Sequence, residues 1–113
     1  MVEEAARKLA EAIRESEEYL NYHRLKESVM ADAGTAALIA EYHRRQTEAQ
    51  MRQFSGGEGD AEADARFNAV TGLLMDIPEA REYLIAEMEM RQMLSRLFLM
   101  MTEAADVDFP TDL

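Results

Sequence analysis

Residues 76–104 read DIPEAREYLIAEMEMRQMLSRLFLMMTEA, and this stretch decides the fold because it carries the most apolar helical pattern in the chain. Asp76 and Glu79 have the spacing of a capping box, and Pro78 suits a first helical turn, where its missing N–H costs nothing. We therefore predict a long last helix that runs to about Ala104. Its broad inner face is predicted to contain Tyr83, Leu84, Met88, Leu94, Leu97, Phe98 and Met101.

The last helix is also rich in methionine. The chain has nine methionines, and six of them lie between residues 75 and 101. A flexible thioether suits an irregular core as well as an adaptable binding surface, so one interpretation is that these side chains only fill the core. We favour the other, that a second copy or a partner covers apolar surface that one copy cannot bury. The predicted interface consists of Met88, Met90, Met93, Leu97, Met100, Tyr22 and Leu25.

The remaining sequence predicts further helices. Residues 3–29 form a long first helix with two apolar faces, and Asp32 caps a second helix that ends near Phe54. The glycine-rich stretch 55–60 is a loop, and Asp60 caps a third helix. The predicted fold is all-α, with four (possibly five) helices in antiparallel hairpins, long first and last helices, and assembly as a helical dimer. Residues 1–105 are predicted to form a single domain, and residues 106–113 an acidic flexible tail.

Charge and composition exclude several classes of protein. The 113 residues carry a formal net charge of -11, which repels a polyanion, so we expect no direct binding to nucleic acid. Arg44, Arg45 and Arg52 are the nearest basic group, but Glu41 and Glu48 alternate with them at helical spacing and predict a charge-paired face. No stretch is long and apolar enough to span a membrane, and no signal peptide is evident. We expect a cytoplasmic location.

The residues offer little for catalysis. There is no cysteine, and His23 and His43 stand in no metal-binding spacing, so neither a thiol nucleophile nor a histidine-based metal centre is predicted. The glycines of the 55–60 loop match no phosphate-binding pattern. We predict that the protein is not an enzyme and has no catalytic, cofactor-binding or metal-binding residues. A metal-dependent enzyme that uses carboxylates and His43 is the weakest alternative.

The segment LAEAIRESEEY at residues 9–19, the helix restart at Asp32, and EYLIAE at residues 82–87 leading to Leu94 together resemble the YlbF/YmcA family of small bacterial helical proteins. The resemblance covers roughly residues 3 to 104. It implies an all-helical protein that self-associates and acts as a non-catalytic accessory factor of ribonuclease Y. Such factors influence RNA processing, competence, sporulation and biofilm formation. The cysteine-held iron–sulfur clusters of some members do not carry over, because this chain has no cysteine.

Two functions therefore stand at the end of the sequence analysis. The first is a protein-binding regulator, homo-oligomeric and most simply a dimer, that contacts a ribonuclease or another RNA-processing protein. The second is a structural or scaffolding helical oligomer with no link to a nuclease. Recovery of RNA-processing proteins on purification from the native cell distinguishes the first from the second.

Overall fold

The computed structural model describes residues 1–57 and 59–108, and within these ranges the chain forms five α-helices and no strand. The helices are α1 (Val2–Glu15), α2 (Glu17–Met30), α3 (Ala33–Phe54), α4 (Ala61–Met75) and α5 (Pro78–Ala105). Residues that lose little conformational entropy in a helix dominate the composition, which is why helix is the default here. The all-α prediction is confirmed, with five helices.

The predicted long first helix is wrong, because it is broken at Ser16. The backbone there is extended, with φ -70° and ψ 151°. The Ser16 hydroxyl donates to the Ile13 carbonyl at 2.6 Å and accepts from the Tyr19 backbone N–H at 3.1 Å. One side chain thus satisfies a carbonyl at the end of α1 and an N–H at the start of α2. A serine followed by Glu17 and Glu18 is a helix-start signal, which the apolar periodicity of residues 3–29 concealed.

The predicted starts of α3 and α4 are confirmed. The Asp32 carboxylate accepts from the backbone N–H and the hydroxyl of Thr35, at 3.1 and 2.6 Å. Asp60 accepts from two backbone N–H groups in the first turn of α4, both at 3.1 Å. The loop between these helices begins with Gly56, whose φ of 70° favours glycine. The N–H groups of Gly56 and Gly57 then close a Schellman turn on the carbonyls of Gln53 and Arg52.

α3 and α4 pack together as an antiparallel hairpin. The rings of Tyr42 and Phe67 lie 5.3 Å apart, while Arg52, further along α3, pairs at 3.7 Å with Asp64, which is earlier in α4. Residue numbers that rise in one helix as they fall in the other indicate the antiparallel direction. The hairpin prediction is confirmed for this pair.

The basic residues of α3 are charge-paired, as predicted. Arg45 lies 2.9 Å from Glu41, and Arg44 lies 3.8 Å from Glu41 and 3.6 Å from Glu48. These pairs are separated by three or four residues, so they join neighbouring turns of one helix surface.

α5 begins at Pro78, which occupies the first helical position as predicted. The predicted capping box of Asp76 and Glu79 is wrong, because the cap position belongs to Ile77, whose carbonyl accepts from the Arg81 N–H at 2.9 Å. The Glu79 carboxylate instead accepts from the Ser28 hydroxyl at 2.8 Å. A contact with a residue far away in the sequence has replaced the local cap.

The other end of α5 closes with a Schellman turn. Asp106 adopts a positive φ of 55°, and the N–H groups of Asp106 and Val107 donate to the carbonyls of Glu103 and Thr102. The predicted flexible tail starts at this turn, and its residues 109–113 lie outside the described residues.

The chain groups into two compact units. One contains Leu25–Glu82, with the end of α2, α3, α4 and the first turn of α5; its buried residues are Leu25, Val29, Thr35, Ile39, Val70, Leu74 and Ala80. The other contains Met1–Arg24 and the chain from Tyr83 onward; its buried residues are Tyr83, Leu84, Ala86 and Glu87. None of the residues of α1 is buried. Within the described residues, no helix has the length and apolarity that a membrane span requires.

Candidate protein-binding surface on the last helix

One apolar stripe of α5 changes from buried to exposed along its length. Successive members are three or four residues apart, which places them on one face of the helix. Its first members, Tyr83 and Ala86, are buried, and its last, Met100, is 64% exposed. We call the part from residue 90 onward the methionine stripe; it consists of Met90, Met93, Leu97 and Met100. The first three of these are half-buried.

A second side of α5 also exposes apolar side chains. Ile85, Met88 and Leu99 are separated by three and eleven residues, which correspond to about one and three helical turns, and all three are exposed. The predicted inner face of α5 is correct for Tyr83 and Leu84, which are buried. It is wrong for Met88, Leu94 and Met101, which are 52%, 43% and 54% exposed. Periodicity alone therefore assigned too many residues of α5 to the core.

Two of the predicted interface residues lie on α2, and the structure places them differently from the methionines. Tyr22 is half-buried, and its ring stacks on that of Tyr83 with a centroid distance of 5.6 Å and an interplanar angle of 22°. Leu25 is only 4% exposed within the chain itself. The accessible surface is therefore provided by α5, and Leu25 does not belong to it.

Beside the stripe lies a polar cluster that the sequence analysis did not identify. The Tyr83 hydroxyl donates to the Glu87 carboxylate at 3.2 Å, and the other oxygen of that carboxylate lies 3.4 Å from the Arg91 guanidinium. Glu87 is only 8% exposed, and a carboxylate this buried needs such partners. The spacing of four residues between Tyr83, Glu87 and Arg91 is the sequence signal that could have indicated the cluster.

These surroundings change the acidity of the Tyr83 hydroxyl. Burial, followed by hydrogen bonding with Tyr22 and the nearby negative charge of Glu87, raises the pKa of Tyr83 well above its usual value. Tyr83 therefore keeps its proton to higher pH than an ordinary tyrosine, and its hydroxyl continues to donate to Glu87. The cluster lies at the point where the apolar stripe changes from buried to exposed.

The exposed part of α5 offers apolar surface to which other apolar surface can bind. Among the residues that the structure describes, no three His, Asp or Glu side chains are grouped so that they could hold a metal ion. In the same residues, every buried side-chain nitrogen or oxygen has a hydrogen-bond partner. His43, the histidine of the weakest alternative, makes an edge contact with the Tyr42 ring at 5.8 Å. The fold and this surface define the class as a small all-helical protein with an exposed, methionine-rich helix face.

Comparison with known proteins identifies the family within that class. The family described as "Control of competence regulator ComK, YlbF/YmcA" matches residues 2–105. The chain belongs to this family, which confirms the resemblance noted in its sequence. The family description concerns the control of a regulator.

Its relatives include several proteins of the group UPF0342. The one from Symbiobacterium thermophilum is 31% identical over 105 residues, which cover 93% of this chain and 94% of the relative. The one from Desulfitobacterium hafniense is 32% identical over 101 residues, which cover 89% of this chain and 82% of the relative. The names of these relatives state no activity.

A solved structure has the same fold. A protein of unknown function (DUF964) from Bacillus stearothermophilus superposes with a TM-score of 0.76 over 93% of this chain and 92% of that one. The sequence identity is 18%, so the likeness concerns the fold alone.

Proposed function

We propose that the protein is a non-catalytic regulator that self-associates through the methionine stripe of α5 and acts on other proteins by contact. The observation that carries the proposal is the exposure of large apolar side chains in the second half of one helix, with Met100 at 64% as the extreme. Contiguous apolar surface of this kind is uncommon on monomers and is typical of binding sites. Methionine suits such a site because its unbranched thioether adapts to the shape of a partner.

The net charge of the chain determines how this self-association should depend on salt concentration. Each copy carries a formal net charge of -11, so two copies repel one another at low ionic strength. Added salt screens that repulsion and also strengthens apolar contacts. Self-association driven by the stripe should therefore become tighter as salt is added, whereas association held by ion pairs should become weaker.

Light scattering over a range of protein concentrations tests the stripe. The variant Met90→Gln, Met93→Gln, Leu97→Gln should shift the protein towards the monomer and keep the helical circular dichroism of the unmodified chain. Met51→Gln is the matched control, because Met51 is 66% exposed but lies on α3. Unfolding of the triple variant assigns these residues to the core, and an unmodified protein that is monomeric at high concentration contradicts the proposal.

The partner that we propose is an RNA-processing ribonuclease such as ribonuclease Y. Membership of a family described by the control of a competence regulator supports a regulatory partner, and the strongly acidic surface favours contact with protein over contact with RNA. Pull-down with purified ribonuclease Y tests this, using Met88→Gln to probe the second exposed side of α5. Absence of binding, together with recovery of the protein alone from its native cell, favours a structural oligomer.

A further inference from the structure

The sulfur chemistry of this protein is confined to thioethers. The chain contains nine methionines and no cysteine. Peroxides oxidise thiols and thioethers, so with no thiol present the methionines are the sulfur atoms that an oxidant can modify. Accessible sulfur atoms react before buried ones, so the exposure of each methionine decides where the reaction takes place.

Seven methionines are exposed, and three of them, Met88, Met100 and Met101, lie on α5; the others are Met1, Met30, Met51 and Met75. Met100 ends the methionine stripe in an exposed position, and Met101, four residues after Leu97, is exposed beside it. Met90 and Met93 are half-buried, and Met88 is exposed on the other side of the helix. Apart from Met88, the sulfur atoms of α5 therefore lie in, or directly beside, the surface through which we propose that the protein associates.

Oxidation changes the property on which that surface depends. Hydrogen peroxide transfers one oxygen atom to the sulfur: the O–O bond breaks, an S–O bond forms, the thioether is oxidised to a sulfoxide, and the peroxide is reduced to water. The sulfoxide is polar and accepts hydrogen bonds. Its burial at a contact built from methionine and leucine leaves it without a donor, which costs free energy.

We propose that the methionines of the stripe are modification sites at which hydrogen peroxide controls self-association, the sulfoxide form being the separated one. This inference rests on the proposed function, because it requires that the stripe be covered in the associated protein. The separated chain, whose stripe is not covered by a second copy, is the form that reacts, and oxidation then prevents it from associating again. Methionine sulfoxide reductases can restore the thioether.

The first experiment measures self-association before and after treatment with hydrogen peroxide. Light scattering should show that the dissociation constant rises by about tenfold or more, since a buried unpaired polar group costs at least roughly 1.4 kcal/mol, a factor of ten. The variant Met90→Leu, Met93→Leu, Met100→Leu, Met101→Leu keeps an apolar surface of similar volume and should associate regardless of peroxide. Met51→Leu is the control and should remain as sensitive as the unmodified chain.

The same samples test whether reduction of the sulfoxides restores association and whether the protein stays folded. Treatment with sulfoxide reductases for both epimers, with dithiothreitol as the reductant, returns each sulfoxide to a thioether with release of water, and it should restore association. The far-ultraviolet circular dichroism should stay constant throughout. Dissociation accompanied by loss of helix overturns the inference, because oxidation would then act on folding.

The second experiment compares two methionines of nearly equal exposure in the single chain. Met100 and Met51 are 64% and 66% exposed, so peptide mass spectrometry should find them oxidised at similar rates in dilute, separated protein. In concentrated protein the oxidation of Met100 should slow several-fold relative to that of Met51. An unchanged ratio in protein that does associate contradicts the assignment of the stripe to the contact.

The outcomes separate the two proposals. Protein that is monomeric before any oxidant is added refutes the proposed function and the inference together. Association that persists when Met90, Met93 and Met100 are fully oxidised refutes the inference alone, and self-association through other residues then remains. If hydrogen peroxide dissociates the unmodified protein but not the leucine variant, the result supports both the proposed function and the inference.

Discussion

Replacing Tyr83 with phenylalanine tests the hydrogen bond that holds the buried carboxylate of α5. The ring and its stacking on Tyr22 are retained, while the 3.2 Å contact from the hydroxyl to Glu87 and the hydrogen bond with Tyr22 are lost; the comparison with Glu87→Gln below separates the part that is due to Glu87. Hydrogen bonds to a charged group contribute about 1.5–3 kcal/mol. Since this one is longer than the roughly 2.5–2.7 Å of the strongest such bonds, and Arg91 still lies 3.4 Å from the carboxylate, we expect a loss of about 1.5 kcal/mol.

Urea unfolding at a fixed, low protein concentration measures this loss without a contribution from association. In thermal unfolding, the same loss should lower the Tm of a chain of this length by about 6 °C. In the background of Glu87→Gln, which keeps an acceptor oxygen but removes the charge, Tyr83→Phe should cost about half as much. A loss below about 0.5 kcal/mol, or an equal loss in both backgrounds, refutes the account of Tyr83 as a donor to a buried charge.

The same variant has a signature in alkaline solution. The raised pKa of Tyr83 means that the folded protein holds the phenol proton to higher pH than the unfolded chain does. Its contribution to the free energy of unfolding is therefore fully present below the ordinary tyrosine pKa of about 10 and is lost as the pH rises above that value. Tyr83→Phe should show a flatter decline of stability in this range. An identical decline in both proteins contradicts the cause that we assign to the shift.

Three further predictions concern the helices themselves. Gly72→Ala should stabilise the protein by about 0.5–1 kcal/mol in urea unfolding, because no described atom lies within 4 Å of the added Cβ in the interior of α4; destabilisation would show that this backbone needs glycine. Ser16→Ala should cost about 1 kcal/mol and should speed amide exchange in α1, while Ser16→Asp, which can still cap α2, should lose less. The hydroxyl and N–H of Thr35 lower the pKa of Asp32, so its stabilising effect is present above the ordinary pKa of about 3.8 and is lost as the pH falls. Asp32→Asn should therefore unfold in acid with a shallower pH dependence, and an unchanged acid profile would contradict that origin.

Much of the fold was predictable because helix starts depend on neighbouring residues. Asp32 and Asp60 reach N–H groups two or three residues away, and Pro78 occupies a first turn that its own ring favours. The break at Ser16 is equally local, but the apolar periodicity that continues across it predicts a single helix. A serine followed by two glutamates inside a continuous apolar pattern indicates two helices instead.

The candidate surface was predictable only in part. The count and spacing of the methionines indicated α5 correctly, but the degree of burial along it could not be obtained from periodicity. The sequence assigned both Met88 and Leu25 to the predicted interface, yet Met88 is 52% exposed and Leu25 is 4% exposed. The difference depends on which side of each helix is covered by residues from elsewhere in the chain.

From its sequence alone, this protein is determined to be helical, acidic and rich in methionine at one end, because propensity, charge and capping act over a few neighbouring residues. The tertiary structure decided what surrounds each side chain. The ring of Tyr22 in α2 stacks on that of Tyr83 in α5, and Glu79 gave up its local cap for Ser28, 51 residues away. Burial is set by which distant residues meet, and that information is not contained in any short stretch of the chain.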